Sequence, residues 1–260
     1  MATIPKRVID RLISETRKFQ KILQTAKDRD INESDTVTII TDMLSNLFGY
    51  DKYSEVTSEF SVRGTYCDLA IQLEDSIKYL IEVKAIGLDL KEAHLRQAIG
   101  YGSQHGVQWV VLTNGTHWLI HRIKFEKPVS SELLCSFNIL EINPRKKDDQ
   151  DILFLLCKEG ISKDVIEDFH KHIKNVNKYI IGAIIQSESG LNNIRREIRK
   201  ISPGTKVDTT EIEAILVNEV LKREIVSGEL PDDARNKVRK AILKYKAKLE
   251  KSRAETNSSQ

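Results

Sequence analysis

Tyr66-Cys67-Asp68-Leu69-Ala70-Ile71-Gln72-Leu73, then Glu74-Asp75-Ser76, then Ile77-Lys78-Tyr79-Leu80-Ile81-Glu82-Val83-Lys84 is the stretch that decides the fold. Two apolar runs of strand length flank a short polar segment, the pattern of a β-hairpin. With Glu74-Asp75-Ser76 as the turn, Leu73 pairs with Ile77 and Asp68 lies directly across from Glu82. Opposed Cβ atoms in such a pair sit about 4.5–5.5 Å apart, and like charges there are destabilising. Two facing carboxylates inside apolar strands therefore call for neutralisation. A divalent cation that prefers hard oxygen ligands, Mg2+ or Mn2+, provides it. Glu82 and Lys84 are two apart, so both point to one side of the strand while Ile81 and Val83 point to the other. An ammonium beside the ion can orient or activate water and offset charge on a phosphorane-like transition state. A Glu-x-Lys on a strand is most often a solvated face. Leu80-Ile81-Glu82-Val83-Lys84-Ala85 is too apolar for that, and Asp68 is enclosed by Cys67 and Leu69-Ala70-Ile71. Cys67 should point away from Asp68, toward the core.

Upstream, residues 5–28 repeat apolar groups at helical spacing: Val8, Ile9, Leu12, Ile13, Phe19, Ile22, Leu23 and Ala26. After a polar break, Asn32 can cap a second helix whose buried stripe reads Thr38, Ile39, Met43, Leu44 and Leu47, with Gly49 as its stop. The period then changes to two, giving strands over 55–62, 66–73 and 77–84. Residues 89–105 return to helical spacing. Trp109 to Thr113 is an apolar strand, Asn114-Gly115 signals a tight hairpin, and His117 to Ile123 is the returning strand. Phe137 to Ile142 reads as one more. From Asp149 on everything is helical, over about 149–158, 162–186, 190–201, 208–226 and 232–250, punctuated by Gly160, Pro203-Gly204, Gly228 and Pro231.

Composition bounds the function. Of 260 residues, 40% are apolar and 30% charged, which suits a water-soluble chain with a real core. No apolar run approaches the roughly 18–20 residues that cross a bilayer. The N-terminus lacks a secretory signal, and Cys67, Cys135 and Cys157 are too scattered for a disulfide framework or zinc knuckle; the chain reads as cytoplasmic. Net charge is only +3, but Arg235 to Arg253 holds nine Lys and Arg against Glu250 alone. Lys237, Arg239, Lys240 and Lys244 are candidates for phosphate binding there, or a solvated helix face that keeps the chain soluble. His94 shares a helix face with residues 97 and 101, while His117 and His121 read as strand-surface residues. A phosphate loop of the Gly-x-x-x-x-Gly-Lys-[Ser/Thr] kind is absent, so no ATP-driven motor is expected.

Five pieces in order carry a family resemblance. They are Asn32-Glu33-Ser34-Asp35-Thr36, Gly64-Thr65-Tyr66-Cys67-Asp68, Ile81-Glu82-Val83-Lys84, Gln97-Ala98-Ile99-Gly100-Tyr101, and Val110-Val111-Leu112-Thr113-Asn114-Gly115-Thr116-His117-Trp118. Over about a third of the chain this resembles the PD-(D/E)XK nuclease superfamily. The likeness is to the N-terminal nuclease domain of type I restriction endonuclease R subunits and their small stand-alone relatives. The resemblance implies an α/β restriction-endonuclease-like core, a mixed central sheet flanked by helices, here with an all-helical C-terminal extension. It assigns Asp68, Glu82 and Lys84 as catalytic, with Glu33 joining Asp68 and Glu82 at an Mg2+ or Mn2+ site. Cys67 stands where the motif's name has proline, a departure that leaves the Asp68 ligand intact. Glu33 also suits its place in a first helical turn, where a carboxylate is favoured anyway. Gln97 and Tyr101, i and i+4 on one helix face, match a Gln-x-x-x-Tyr element that supports the site and touches DNA. A packed tyrosine and a solvated glutamine would look the same.

The expected domains are an N-terminal helix over 1–31, a nuclease core over 32–145, a helical region over 146–254 and a disordered tail over 255–260. Ile212, Ile215, Leu216, Val220, Leu221 and Ile225 form a stripe for packing on the core or on a second subunit. The implied activity is metal-dependent DNA endonuclease, a phosphodiester hydrolase in restriction or defence against foreign DNA, with DNA as partner and a homodimer as the assembly that cuts both strands. The alternative is a non-catalytic DNA-binding or regulatory protein retaining the nuclease fold.

Overall fold

Alternating apolar residues and helical stripes resolve into a layered α/β arrangement in the computed structural model, which describes residues 3–62 and 65–257. Side chains are described except at 59–66, 249 and 251–257. Gly64 and residues 258–260 of the expected tail thus lie outside the described residues. The chain divides into two compact units, Met1–His170 and Lys171–Gln260.

The first unit opens with α1 (Lys6–Asp28), which buries Val8, Leu12, Phe19, Leu23 and Ala26 along one stripe. Helix α2 (Glu33–Asn46) starts where the Asn32 side chain accepts the Asp35 amide at 2.9 Å, satisfying one of the free N–H groups of a helix start. Its buried residues are Thr36, Ile40, Met43 and Leu44, so the stripe is rotated from the expected Thr38 and Ile39. Thr38 lies on the exposed face, where its hydroxyl bonds back to the Ser34 carbonyl.

Six strands follow: β1 (Val56–Val62), β2 (Thr65–Leu73), β3 (Ser76–Val83), β4 (Trp109–Thr113), β5 (His117–Lys124) and β6 (Ser130–Asn138). They lie in sequence order in one sheet, antiparallel throughout except for the parallel pair β3–β4. A parallel neighbour needs a crossover, here a short 3-10 turn (Glu92–Leu95) and α3 (Arg96–His105). The last strand is Ser130–Asn138 and not 137–142. As the edge strand it leaves Leu133 exposed and buries Leu134 and Phe137, so it lacks the clean alternation of a half-buried strand.

The sheet has a core on each face. One gathers Leu69, Ile71, Tyr79, Ile81, Val83, Val111, Trp118 and Ile120 with the buried stripes of α1 and α2. The other gathers Ala70, Leu80, Val110, Leu112 and Ile123 with Leu95, Ala98 and Tyr101 of the crossover. Beyond the sheet come α4 (Lys147–Phe154), α5 (Lys158–Ile161) and α6 (Val165–Asn175). Leu153 to Cys157, Ile161, Val165 and Ile166 join the first core. Arg11 of α1 bonds both carboxylate oxygens of Glu159 on α5, at 3.0 and 2.7 Å. The polar segment near 144–150, a turn that runs into the start of α4, therefore lies inside the first unit, and the division falls at 170/171 rather than at 145/146.

The second unit continues in α7 (Lys178–Ile185), α8 (Glu188–Ile201), α9 (Thr209–Ile215), a π-helical turn (Leu216–Val220), α10 (Arg223–Val226) and α11 (Glu229–Asn257). The helix expected over 162–186 is broken because the Asn177 side chain caps Tyr179 and Ile180 and starts α7 anew. Helix α11 runs through Asn257, into the expected tail. No helix among the described residues is long and apolar enough to cross a membrane.

Candidate active site at the β2–β3 hairpin

Two consecutive residues in the left-handed region, Glu74 (φ 51°) and Asp75 (φ 58°), make the β2–β3 turn. The loop therefore has two residues, with Leu73 opposite Ser76 and Gln72 opposite Ile77, one step off the expected pairing. A bulge between Ile71 and Gln72 then shifts the ladder back, so that Ile71 pairs with Tyr79, Ala70 with Leu80 and Leu69 with Ile81. One step further that register sets Asp68 opposite Glu82.

Three charged side chains assemble there. Ile81 and Val83 belong to the α1–α2 side of the sheet and Leu80 to the α3 side, so alternation puts Glu82 on the α3 side. Glu82 is only 4% exposed, and its carboxylate meets Lys84 Nζ at 2.8 Å. Glu33, at the first turn of α2, reaches the same Nζ at 3.5 Å from a half-exposed position. Asp68 Oδ2 accepts the Val83 amide at 2.6 Å, which fixes the carboxylate against β3. The Lys84 amide in turn donates to Thr113 of β4 at 2.8 Å, so the lysine stands at the carboxyl end of the parallel pair.

Burial sets the protonation of this group. It pushes the Glu82 carboxyl up to about 7 against the Lys84 hydrogen bond, with the Asp68 charge acting in the same direction. Asp68 is also raised by burial, opposed by the Val83 amide and the Lys84 ammonium. For Lys84 burial works against the charged form, but the bond to Glu82 and the charges of Glu82, Asp68 and Glu33 raise it overall. A pair of acids that burial resists charging, beside one cation already present, has room in its electrostatics for a second.

Glu33 does not complete a three-acid cage; it faces Lys84. Among the described residues no group of three or more His, Cys, Asp or Glu converges as a cation site. The Asp68–Glu82 pair still suits Mg2+, which keeps several waters and is often held by one or two carboxylates.

Other expected residues separate. On α3, Gln97 is exposed while Tyr101 is buried at 1%, stacked on His105 at 4.5 Å between ring centroids. Tyr101 thus packs beneath the helix and only Gln97 is open to solvent. Cys67 is buried, but in the α3-side core and not away from Asp68: burial pushes its thiol up to about 12, and the Glu82 and Asp68 charges act in the same direction. His94 closes the 3-10 turn by accepting the Lys91 amide on Nδ1. His121 is not a surface residue: it is 3% exposed, burial lowers its proton affinity, and neither ring nitrogen has a hydrogen-bond partner. In the second unit, Lys240 and Lys244 are exposed on α11, whereas Lys237 donates to Asn175 Oδ1 at 2.8 Å and Arg239 to Asn236 Oδ1 at 3.3 Å.

One hydrogen bond near Lys84 joins two loops distant in sequence. The Asn114 side-chain amide donates to the Leu88 carbonyl, 3.0 Å, in the loop that leaves Lys84. Asn114-Gly115 signals a turn, and no sequence pattern names the partner of that donor.

A mixed sheet flanked by helices, with paired carboxylates and a lysine on its β2–β3 hairpin, defines a nuclease-like α/β domain. Residues 36–134 match the family model of the type I restriction enzyme R protein N terminus. The match begins within α2, ends within β6, and contains Asp68, Glu82, Lys84, Gln97 and Tyr101 but not Glu33. It ties that stretch to restriction enzymes and leaves the helical second unit outside. No curated protein matches the chain, and no solved structure does.

Proposed function

We propose that the chain is a metal-dependent deoxyribonuclease that hydrolyses phosphodiester bonds in restriction or in defence against foreign DNA. The observation that carries this reading is a nearly buried Glu82 in contact with Lys84 Nζ at 2.8 Å, on a strand whose register brings Asp68 opposite. Nothing in the packing of a sheet calls for two acids there. Asp68 and Glu82 would hold Mg2+ or Mn2+. When bound, the ion supplies polarisation of a phosphoryl oxygen and a more acidic water.

The chain's own residues do the rest. The Val83 amide fixes the Asp68 carboxylate and leaves its second oxygen free to bind. Glu33 and Glu82 approach the Lys84 ammonium and keep it charged, so it can orient a water and offset negative charge growing on the phosphoryl oxygens. Gln97 on the open face of α3 is offered to the DNA backbone. Lys240 and Lys244 on α11 are offered to phosphates as a nonspecific handle, since such affinity comes chiefly from cationic side chains.

Cleavage of supercoiled plasmid and single-stranded DNA with Mg2+ or Mn2+ tests this. We expect Asp68→Ala and Lys84→Ala each to lower the rate by roughly 10²–10³-fold, the scale for losing one preorganised charged group. Cleavage that persists undiminished in both variants rules this site out.

A further inference from the structure

We propose that Asn114 is a positioning residue for Lys84, holding the loop after the active strand in the conformation that presents the ammonium; this rests on the nuclease reading. Residues 84–91 link β3 to the 3-10 turn without regular structure. Besides the Lys84 amide bond to Thr113 and the packing of Leu90 on the α3-side core, three contacts hold the middle of this loop. Ile86 is buried in the α1–α2 core. Gly87 lies against the Asp30 carboxylate so closely that a Cβ would overlap it. The third is the hydrogen bond from Asn114 Nδ2 to the Leu88 carbonyl, 3.0 Å.

Asn114 is built for this task. It is 5% exposed and uses both ends of its amide. Oδ1 accepts the Thr116 amide at 3.1 Å, the Thr116 hydroxyl at 2.9 Å and the His117 amide at 2.8 Å, closing the β4–β5 turn. Nδ2 is left to reach out of the turn to Leu88. The residue before it, Thr113, accepts the Lys84 amide. Two adjacent residues, at the end of β4 and just past it, thus bracket the loop, one at Lys84 and one at Leu88.

Another contact of the loop leads to Glu33. Asp30, against Gly87, is in the left-handed region at φ 48° and lies two residues before the Asn32 cap of α2. Glu33 is the first residue of that helix and the second acid on Lys84. With Leu88 tied to Asn114 and Gly87 against Asp30, the loop is fixed between the two elements that carry Lys84 and Glu33. Misplacement of a reacting group by about 1 Å from a remote change costs roughly 10²-fold in rate.

The two ends of the amide can be separated. Asn114→Asp keeps an oxygen for Thr116 and His117 and replaces the donor to Leu88 with an acceptor. Asn114→Ala loses both. The experiment compares the full chain with both variants by hydrogen exchange across 85–91 and by plasmid cleavage with Mn2+. In Asn114→Asp we expect exchange across 85–91 to rise roughly 3- to 10-fold, with the β4–β5 amides unchanged. We also expect kcat to fall roughly 10- to 100-fold with KM for DNA unchanged. Asn114→Ala should loosen the turn as well and lower the thermal midpoint further. Unchanged exchange at 85–91 in Asn114→Asp overturns the inference, as does a looser loop with full kcat. If the wild-type chain cleaves no DNA under any of these conditions, the nuclease reading falls. Failure of the tether in an active enzyme sinks the inference alone.

Discussion

The two units of this chain solve the same folding problem in opposite ways. Met1–His170 wraps both faces of a six-stranded sheet and fully buries Leu12, Leu23, Ile40, Leu69, Ile81, Val111 and Trp118. Lys171–Gln260 buries the small cluster Ala183, Ala234 and Val238, with Tyr179, Ile180 and Ile242 partly covered, and separately Leu191 and Ile212, and it leaves Ile181, Ile184, Leu243 and Tyr245 exposed. Carboxylates follow suit. In the first unit, burial pushes Glu82 and Asp68 up, while Asp51 is pulled down by Ser54 and Glu159, against burial, by Arg11. In the second, Asp208, Glu197 and Glu224 are pulled down by surface partners, led by Thr210, Lys200 and Lys178 respectively. Only a rigid, dehydrated layer can hold acids in a state they resist, and that is where chemistry needing a counter-ion is found.

Stability should divide along the same line. Trp118 is fully buried, donates to the Gly115 carbonyl at 2.9 Å and packs on Phe48 and Phe137. Trp118→Ala should cost about 3–5 kcal/mol in chemical denaturation, as large aromatic deletions do. Val238→Ala should cost about 1–2 kcal/mol, the loss of two buried carbons. Equal costs would show that the second unit is packed as tightly as the first.

A smaller effect concerns pH. Glu82 rises from 4.5 in the unfolded chain to about 7 in the fold. Its contribution is therefore fully present below pH 4.5 and is lost as pH rises through 7. We expect the metal-free protein to lose about 1–3 kcal/mol over that window, Glu82→Gln to flatten the slope, and Mg2+ to restore stability mostly above about pH 7. A metal-free protein whose midpoint does not fall with pH would contradict the burial assigned to Glu82.

The smallest effect belongs to the second unit. Lys240→Glu with Lys244→Glu should weaken nonspecific DNA binding and lower the salt slope by roughly 0.9 for each phosphate no longer neutralised. Stability and any metal affinity should stay as they were. An unchanged slope removes α11 from the DNA surface.

How far the sequence could be read follows from the physics of each element. Alternation and helical stripes locate five of the six strands, α1, α2 and the charged trio, because burial is periodic. Turns depend on side-chain hydrogen bonds that no periodicity encodes. Asn114-Gly115 signals a tight turn with positive φ at both residues, yet only Gly115 has it, at 85°, because the Asn114 side chain closes the turn instead. The paired left-handed residues are Glu74 and Asp75, where no glycine marks them. The bulge at Ile71/Gln72 corrects the resulting slip, and no residue pattern announces it. Gln97 and Tyr101 share a helix face by spacing, but burial depth is a property of what packs above, so one is exposed and the other enclosed. Glu33 is legible as a first-turn acid; its partner, Lys84, is set by the tertiary fold.

In the proposed reading Asp68 and Glu82 share one divalent cation. Titration of the purified chain with Mn2+, followed by electron paramagnetic resonance of the free ion, tests it without any nuclease substrate. We expect one site on the wild type, lost in Asp68→Ala and in Glu82→Gln and largely kept in Glu33→Gln, whose acid faces the lysine. Binding that is absent from the wild type, or unaltered in both Asp68→Ala and Glu82→Gln, contradicts it.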